Sequence, residues 1–424
     1  MKSLGYIALG LTFSAAALAQ DGTTNSPPQS LWERDTLTGD WRGLRPRLAA
    51  AGVDFSPVYT GEVFNDAAGG EFGPGTVYDH SLNLPLTLDL EKLVGWPSAT
   101  IHANAFWLAG QSLSESHVGD ISNVSNISGD PALRLQELWF QQNGWHDAVS
   151  LKAGLLAADN EFFTSPTAAL FINGAFGAFP LVSANLPNPP IYPMTAPAVR
   201  LLVQPALGWY FQTAIYDGDS GTQAGNPSGT DCRISTSDGA LIFSEIGFLS
   251  SPAPGTNQLA SAFKAGTFIH IKRVPTWAAQ TAGSTGGGQI NAGVYAVAEH
   301  DLFRLAEKKI TAFVRGGYAP ADRNVVDWYL DAGLNFVGLV PRRPDDVAGL
   351  AFSRSNFSRD YSRYEQSVNG TAPLDAELVI EASYRAQITS WWTLQPDLQF
   401  VCTPGGNPDC QDAVIFSLRT TLSF

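Results

Sequence analysis

The chain has 424 residues, of which 44% are hydrophobic, 11% are aromatic and only 15% carry a charge. The charged fraction is well below the roughly 25% of ordinary soluble domains, and this composition disfavours helical bundles, coiled coils and disordered chains. The net charge of -14 leaves no basic surface that would displace counterions, so nucleic-acid binding is excluded.

The amino terminus has the pattern of a secretory signal peptide. Lys2 gives the positive start, residues 4–19 are apolar, and Ala17-Leu18-Ala19 is an A-x-A cleavage pattern. We therefore expect residues 1–19 to be removed on export. Residues 20–30 are rich in Pro, Ser, Thr and Asn and predict a flexible leader.

A short helix is predicted between the leader and the first strand. Thr38-Gly39-Asp40 resembles a helix N-cap, apolar residues follow with helical spacing from Arg42 to Ala51, and Gly52 is suited to end the helix. We assign residues 20–52 to an N-terminal leader and a short periplasmic helix.

Residues 53–424 consist of short segments in which apolar and polar residues alternate. From Val414 to Phe424 one set of alternate residues is mostly apolar and the other mostly polar, and a β-strand places the two sets on opposite faces. After residue 19 no run approaches the roughly 18 consecutive apolar residues of a membrane-spanning helix. The predicted strands are 53–65, 77–92, 99–110, 133–143, 148–156, 197–204, 208–217, 240–250, 258–271, 288–300, 309–318, 326–338, 347–356, 376–388, 391–400 and 413–424.

The strand number and the connections favour a membrane barrel over a soluble sandwich. About sixteen strands is an even number, aromatic residues lie at strand ends, and the last strand ends in Phe424. Short periplasmic turns and long external loops alternate in such barrels. We predict an all-β fold, a single transmembrane antiparallel β-barrel of about 16 strands. The long connections are predicted at 111–132, 157–196, 218–239, 272–287 and 357–375, and short ones at 144–147, 205–207 and 389–390.

In such a barrel the apolar face of each strand meets lipid and the polar face lines the lumen. Both signs of charge and several amides occur there, and a sugar needs this mixture because its hydroxyls exchange hydrogen bonds while its ring stacks on an aromatic group. Alternatively, these charges pair with each other and merely solvate a wide lumen. The pore-lining candidates on strands are Glu62, Glu137, Trp139, Lys152, Arg200, Glu381, Arg385, Asp397 and Arg419, and the same parity also turns Asp89, Glu91, Tyr210, Gln212, Lys264, Asp331 and Gln395 inward.

The connection 157–196 is the best candidate for a constriction. It is the longest loop and is rich in phenylalanine and proline, so exposure to water would be unfavourable. Folding into the barrel mouth would bury it and narrow the pore; the alternative is a contact loop between subunits. Its polar candidates for solute contact are Asp159, Asn160, Glu161 and Asn173.

Cysteines and histidines give no catalytic or metal site. Cys402 and Cys410 flank a short predicted external loop and are candidates for a local disulfide, with two free thiols as the alternative; Cys232 is left over. The six histidines are scattered, and the chain has no HExxH, G-x-S-x-G or Walker A pattern. We predict no catalytic residue, no metal and no cofactor.

Several short motifs, taken in order, are specific together: Leu37–Arg45, Tyr59–Phe64, Arg134–Trp139, Asp159–Phe163, Phe171–Gly177, Ile191–Pro193, Asp331–Pro341 and Leu394–Gln399. In order and spacing they resemble one known family, the OprB-type carbohydrate-selective porins. The resemblance extends from about residue 30 to the end of the chain and implies a sixteen-stranded outer-membrane channel that passes monosaccharides and similar small polar solutes. One departure is Ala198, where the family pattern leads us to expect Gly.

The sequence thus predicts a passive porin in a Gram-negative outer membrane rather than an enzyme. Its expected partners are small sugars and outer-membrane lipid, and association of several copies is left open. The rival is a secreted β-rich protein that binds or cleaves carbohydrate, which would share the signal peptide, the aromatic residues and the alternating strands.

Overall fold

A computed structural model describes residues 30–250, 258–284 and 288–424. The predicted signal peptide and nearly all of the predicted leader lie outside these ranges. Within them, seventeen strands form one antiparallel sheet. The strands are β1 (Val53–Phe55), β2 (Val58–Gly70), β3 (Gly75–Asp89), β4 (Ala99–Gly110), β5 (Ala132–Gly144), β6 (Val149–Leu156), β7 (Ala196–Ala206), β8 (Trp209–Asp217), β9 (Ala240–Ser250), β10 (Ser261–Val274), β11 (Gln289–Leu305), β12 (Lys308–Tyr318), β13 (Val326–Val337), β14 (Val347–Phe357), β15 (Ala376–Thr389), β16 (Trp392–Cys402) and β17 (Gln411–Ser423).

The helices of the described ranges are short. None of them is long and apolar enough to cross a membrane. The α-helices are α1 (Leu44–Ala50), α2 (Leu90–Val94), α3 (Pro180–Ser183), α4 (Trp277–Thr281) and α5 (Arg359–Asn369), with single turns at Leu31–Glu33, Ser114–Val118, Ala158–Asn160, Ala168–Leu170, Gly174–Phe176 and Pro404–Gly406.

The sheet closes into a barrel of sixteen strands, as predicted. Each strand from β2 to β17 pairs with its neighbour in sequence, and β17 pairs back with β2, so that Arg419 lies opposite Glu62. The predicted first strand 53–65 is interrupted, because Pro57 has no N–H to donate to a ladder. Its first part, β1, therefore pairs separately with the lower end of β3.

The two faces of the wall have opposite chemistry. On β17, Phe416 and Leu418 are about half exposed on the outer face, whereas Ile415 is buried on the inner one. On β15, Ile380 faces outward and Glu381 is fully buried inside. An apolar outer surface and a polar lumen are what a barrel in lipid requires, and the predicted parity is confirmed on both strands.

The connections alternate in length as predicted. At one end, the long-loop end, the connections 111–131, 157–195 and 218–239 are long, and we name them L2, L3 and L4. At the other, the short-turn end, the connections include 145–148, 207–208, 306–307 and 390–391.

Loop L3 lies inside its own barrel. Phe162 stacks on Phe243 of β9 with 5.3 Å between ring centroids, and Phe179 stacks on Tyr329 of β13 at 5.2 Å. Phe163 is 1% exposed and meets Tyr295 of β11 edge-on. Each buried phenylalanine contributes roughly 1.5–3 kcal/mol. The alternative, that L3 is a contact loop between subunits, is therefore wrong for this part of the chain.

The N-terminal helix is shorter than predicted. Helix α1 begins after Gly43, whose φ of 81° places it in the left-handed region, and not at Thr38–Asp40. Asp40 instead accepts a hydrogen bond from the Arg42 N–H at 3.0 Å, because a short carboxylate readily closes a local turn. Arg45 donates to the carbonyl of Phe424 at 2.6 Å, which attaches this segment to the short-turn end.

Strand β3 ends in a helix cap that involves two residues predicted to face the lumen. Asp89 caps helix α2 by accepting from the main-chain N–H groups of Glu91 and Lys92, and Glu91 lies within that helix. The strand ends here because a carboxylate at this position satisfies the first N–H groups of a helix. Asp89 keeps the inward parity of β3, in register with Thr100 of β4, whereas Glu91 lies beyond the strand and the prediction was wrong for it.

The predicted disulfide between Cys402 and Cys410 is absent. Both residues, together with Cys232, are free thiols in the structure. Val401 pairs with Ala413 across β16 and β17, so the register brings Cys402 toward Asp412 and not Cys410. Asp412 then accepts from the N–H of Thr403 at 3.0 Å, which fixes that register.

Candidate functional site

Four wall glutamates fix loop L3 along its length. Glu137 of β5 accepts from the main-chain N–H of Ala157 at 3.3 Å, and Glu245 of β9 accepts from that of Phe163 at 2.9 Å. Further along, Glu299 of β11 accepts from Thr167 at 2.8 Å, and Glu381 of β15 from Ile172 and Asn173 at 2.5 and 3.0 Å. These carboxylates satisfy loop N–H groups that would otherwise be buried without a partner.

The wall also donates to the carbonyl groups of L3. Arg315 of β12 donates to Ala175 and Gly177 at 2.9 and 3.0 Å while it pairs with Asp331 of β13 at 2.5 Å. Arg315 and Asp331 are at most 1% exposed. Lys264 of β10 likewise holds the carbonyl of Thr164 at 2.7 Å. L3 is thus a fixed arc against the wall and not a mobile flap.

The first residues of L3 form an ion-pair cluster with β6 and β7. Glu161 pairs with Lys152 and, at 3.2 Å, with Arg200. Burial tends to raise the pKa of Glu161, but the two cations outweigh it and hold the pKa below its usual range. Asn160 donates to Glu137 at 3.0 Å beside this cluster. The structure therefore brings these five predicted site residues together.

Asp159 connects this cluster to the far end of L3. It accepts from the N–H of Tyr192 at 2.9 Å, while the Tyr192 hydroxyl donates to the carbonyl of Ile127 in L2 at 2.7 Å. Burial raises the pKa of Asp159 to about 6, although the Tyr192 N–H acts in the opposite direction. These contacts tie the two loops together and make Asp159 a structural group.

Trp139 cannot offer an open ring face to a sugar. His102 of β4 stacks on it at 4.9 Å between ring centroids, and Lys152 of β6 lies 4.2 Å from the indole centroid. Side chains from both flanking strands therefore lie against the indole ring. Trp139 does lie on the wall beside Lys152, as predicted, but its stacking capacity is used within the protein.

Arg419 projects from β17, five strands around the barrel from β6. Its Nε donates to Glu62, and its Nη2 donates to Asn126 of L2 at 2.6 Å. Glu62 also accepts from Ser125 at 2.6 Å and is fully covered, whereas 12% of the Arg419 side chain stays exposed. Glu62 thus orients Arg419, and the guanidinium is the group that remains accessible.

Arg385 lies at the same height as Arg419. Ala386 pairs with Leu394 across β15 and β16, and Gln395 pairs with Arg419 across β16 and β17. The two arginines are thus two strands apart, with backbones about 10 Å from each other. Both point into the lumen and are partly exposed.

The remaining predicted site residues are buried where L3 meets β15 and β16. Glu381 is 0% and Asn173 is 0% exposed, and Asp397 is 6% exposed beside them. Asn126 was missed by the sequence reasoning, because it lies in a loop without periodicity and gains its position only from contacts distant in sequence. In the part of the chain that the structure describes, no group of three or more His, Cys, Asp or Glu side chains could hold a metal ion.

Comparison with known proteins agrees with this geometry. The model of the carbohydrate-selective porin, OprB family matches residues 74–424. Porin B of Pseudomonas aeruginosa is 27% identical over an alignment that covers 100% of this chain and 96% of that protein. The putative porin QuiX of Acinetobacter baylyi is 22% identical and covers 99% of both chains.

Solved structures share the fold. The high-pH structure of Pseudomonas putida OprB superposes with a TM-score of 0.86 at 22% identity, over 93% of this chain and 100% of that one. The low-pH structure of the same protein superposes with a TM-score of 0.59 at 19% identity, over 92% of this chain and 99% of that one. A secreted β-rich protein is thereby ruled out, while association with further copies stays a prediction. The chain belongs to the carbohydrate-selective porins of the OprB family, and it is a sugar channel of the Gram-negative outer membrane rather than an enzyme.

Proposed function

We propose that single sugar rings pass between the Arg419–Arg385 wall, the tip of L2 and the first residues of L3. The observation that carries this proposal is the position of Arg419, whose guanidinium is held by Glu62 and Asn126 yet keeps part of its surface exposed. Guanidinium N–H groups are strong donors to sugar hydroxyls.

The charge balance at Arg419 supports a neutral solute. Because Glu62 neutralises the guanidinium, an uncharged polyol can exchange hydrogen bonds there without a net charge of its own. Weak contacts of this kind allow entry without trapping, which a diffusion channel requires. The fixed arc of L3 supports a preference for monosaccharides over longer sugars, because it leaves the passage little freedom to widen.

Replacing Arg419 tests the proposal. In Arg419→Ala the glucose concentration that half-blocks single-channel current in planar bilayers should rise about tenfold, because a hydrogen bond to a charged group contributes about 1.5–3 kcal/mol. In Arg419→Lys the half-blocking glucose concentration should lie between those of the wild type and Arg419→Ala, because an ammonium cannot contact Glu62 and Asn126 with one planar group.

An exposed arginine gives the matched control. Arg233 of L4 is paired with Asp231 in its own loop and is 87% exposed, so Arg233→Ala should leave glucose block as in the wild type. Equal glucose block in Arg419→Ala and the wild type would mean that sugars do not contact Arg419.

A further inference from the structure

The position of Arg419 depends on L3 as well as on L2. Asn126, the L2 residue that accepts from Arg419, is itself held by L3. Its main-chain N–H donates to Ile172 O at 2.8 Å, and its Nδ2 donates to Phe171 O at 3.1 Å. The amide oxygen that meets Arg419 is therefore oriented by two carbonyl groups of L3.

That part of L3 is fixed by strand β15. The N–H groups of Ile172 and Asn173 converge on the two oxygens of Glu381, at 2.5 and 3.0 Å. The Asn173 side chain adds a bond to Gln399 of β16 at 3.0 Å. Glu381 is 0% exposed, so a sugar in the lumen cannot reach it.

These contacts form one continuous path from the wall to the aperture. We propose that Glu381 is a positioning residue for sugar selectivity: it holds Ile172 and Asn173, these place Asn126, and Asn126 orients the Arg419 guanidinium. The inference rests on the proposed sugar contact at Arg419. It also changes the role expected for Glu381, from a group that binds solute to one that acts through L3.

The path requires two acceptor oxygens at residue 381. A glutamine offers one acceptor oxygen, and its NH2 group would face the second N–H of the pair. One buried main-chain N–H would then lose its partner, which is costly enough to shift the loop locally. Glu381→Gln keeps the size of the side chain and is therefore the sharpest single change.

Glu299 provides the matched control. It is also a wall glutamate that holds L3, through Ser165 and Thr167 at 2.7 and 2.8 Å. Glu299 lies on β11, and neither Ser165 nor Thr167 forms a hydrogen bond with Asn126. Both donors share the Oε1 of Glu299, so Glu299→Gln removes the same charge from the wall, keeps an acceptor oxygen for both donors and leaves the path to Arg419 intact.

The test is a double-mutant cycle on glucose block of single-channel current. Glu381→Gln and Asn126→Ala should each raise the half-blocking glucose concentration about fivefold, and the double variant should rise hardly further, because both changes break one path. Any effect of Glu299→Gln should multiply with that of Asn126→Ala. Multiplicative effects for Glu381→Gln and Asn126→Ala would overturn the proposal.

Two further measurements keep the outcomes separate. If Glu381→Gln does not fold, Asn173→Ala, which removes the L3 side chain that bonds Gln399 and the Ala175 N–H, should show the same lack of additivity with Asn126→Ala; multiplicative effects would again overturn the proposal. Unchanged block in Arg419→Ala would remove the proposed function itself. A tenfold rise in the half-blocking glucose concentration for Arg419→Ala, together with multiplicative effects of Glu381→Gln and Asn126→Ala, would remove only the positioning role.

Discussion

A chain that lacks residues 165–190 is expected to conduct several times more current per channel and to lose its preference for monosaccharides over disaccharides. The reason is that these residues fill the barrel interior. They include Phe171 and Phe179, both 0% exposed, and the segment that fixes Asn126. Joining residues 164 and 191 by a short Gly-Ser linker and recording the channel in planar bilayers measures both effects.

The control is a deletion in a loop that does not enter the lumen. Residues 231–237 of L4 are mostly exposed, and their removal should leave conductance and sugar discrimination close to those of the wild type. Unchanged conductance after the L3 deletion, in protein with an intact barrel, would show that L3 does not narrow the pore.

Asp331→Ala is expected to destabilise the folded barrel by about 3–5 kcal/mol. The substitution leaves Arg315 buried beside L3 without its counter-ion, because Asp331 is the carboxylate that pairs with it at 2.5 Å. It also removes one of the two acceptors of the Tyr329 hydroxyl, at 2.8 Å, and leaves the Ala175 carbonyl as the other. Urea unfolding in detergent or lipid vesicles, followed by tryptophan fluorescence, measures the change.

An exposed ion pair serves for comparison. Arg363 and Asp360 on α5 lie 3.3 Å apart with 75% and 40% of their side chains exposed. Asp360→Ala should therefore change stability by no more than about 0.5 kcal/mol. A loss of that small size for Asp331→Ala would contradict the view that the buried pair holds L3 against the wall.

The strands could be predicted from sequence because their signal is local. In lipid the outer face of each strand must be apolar and the inner face may be polar, so a period of two also gives the direction of each side chain. Arg419, Arg385 and Glu381 were placed on the inner face for this reason. The interruption at Pro57 follows from its missing N–H, but how β1 and β2 share β3 depends on long-range pairing.

The roles within the lumen could not be predicted in the same way. The alternation along each strand predicts that Glu381 and Arg419 face inward. It does not predict that L3 covers Glu381 and leaves Arg419 partly exposed. The position of Asn126 and the two hydrogen bonds that Glu381 accepts depend on contacts between residues more than 40 positions apart in the sequence. For the same reason the Cys402–Cys410 bridge looked plausible from spacing alone, whereas the strand register decides against it.

Single-channel recording of the purified wild-type chain in planar bilayers, with and without monosaccharides, shows whether the barrel conducts and whether sugars bind inside it. Steady conductance steps that glucose blocks in a saturable way are the predicted result. Folded protein that gives no steps would not be a channel, and steps that no sugar affects would mean that the channel has no sugar contact site at Arg419.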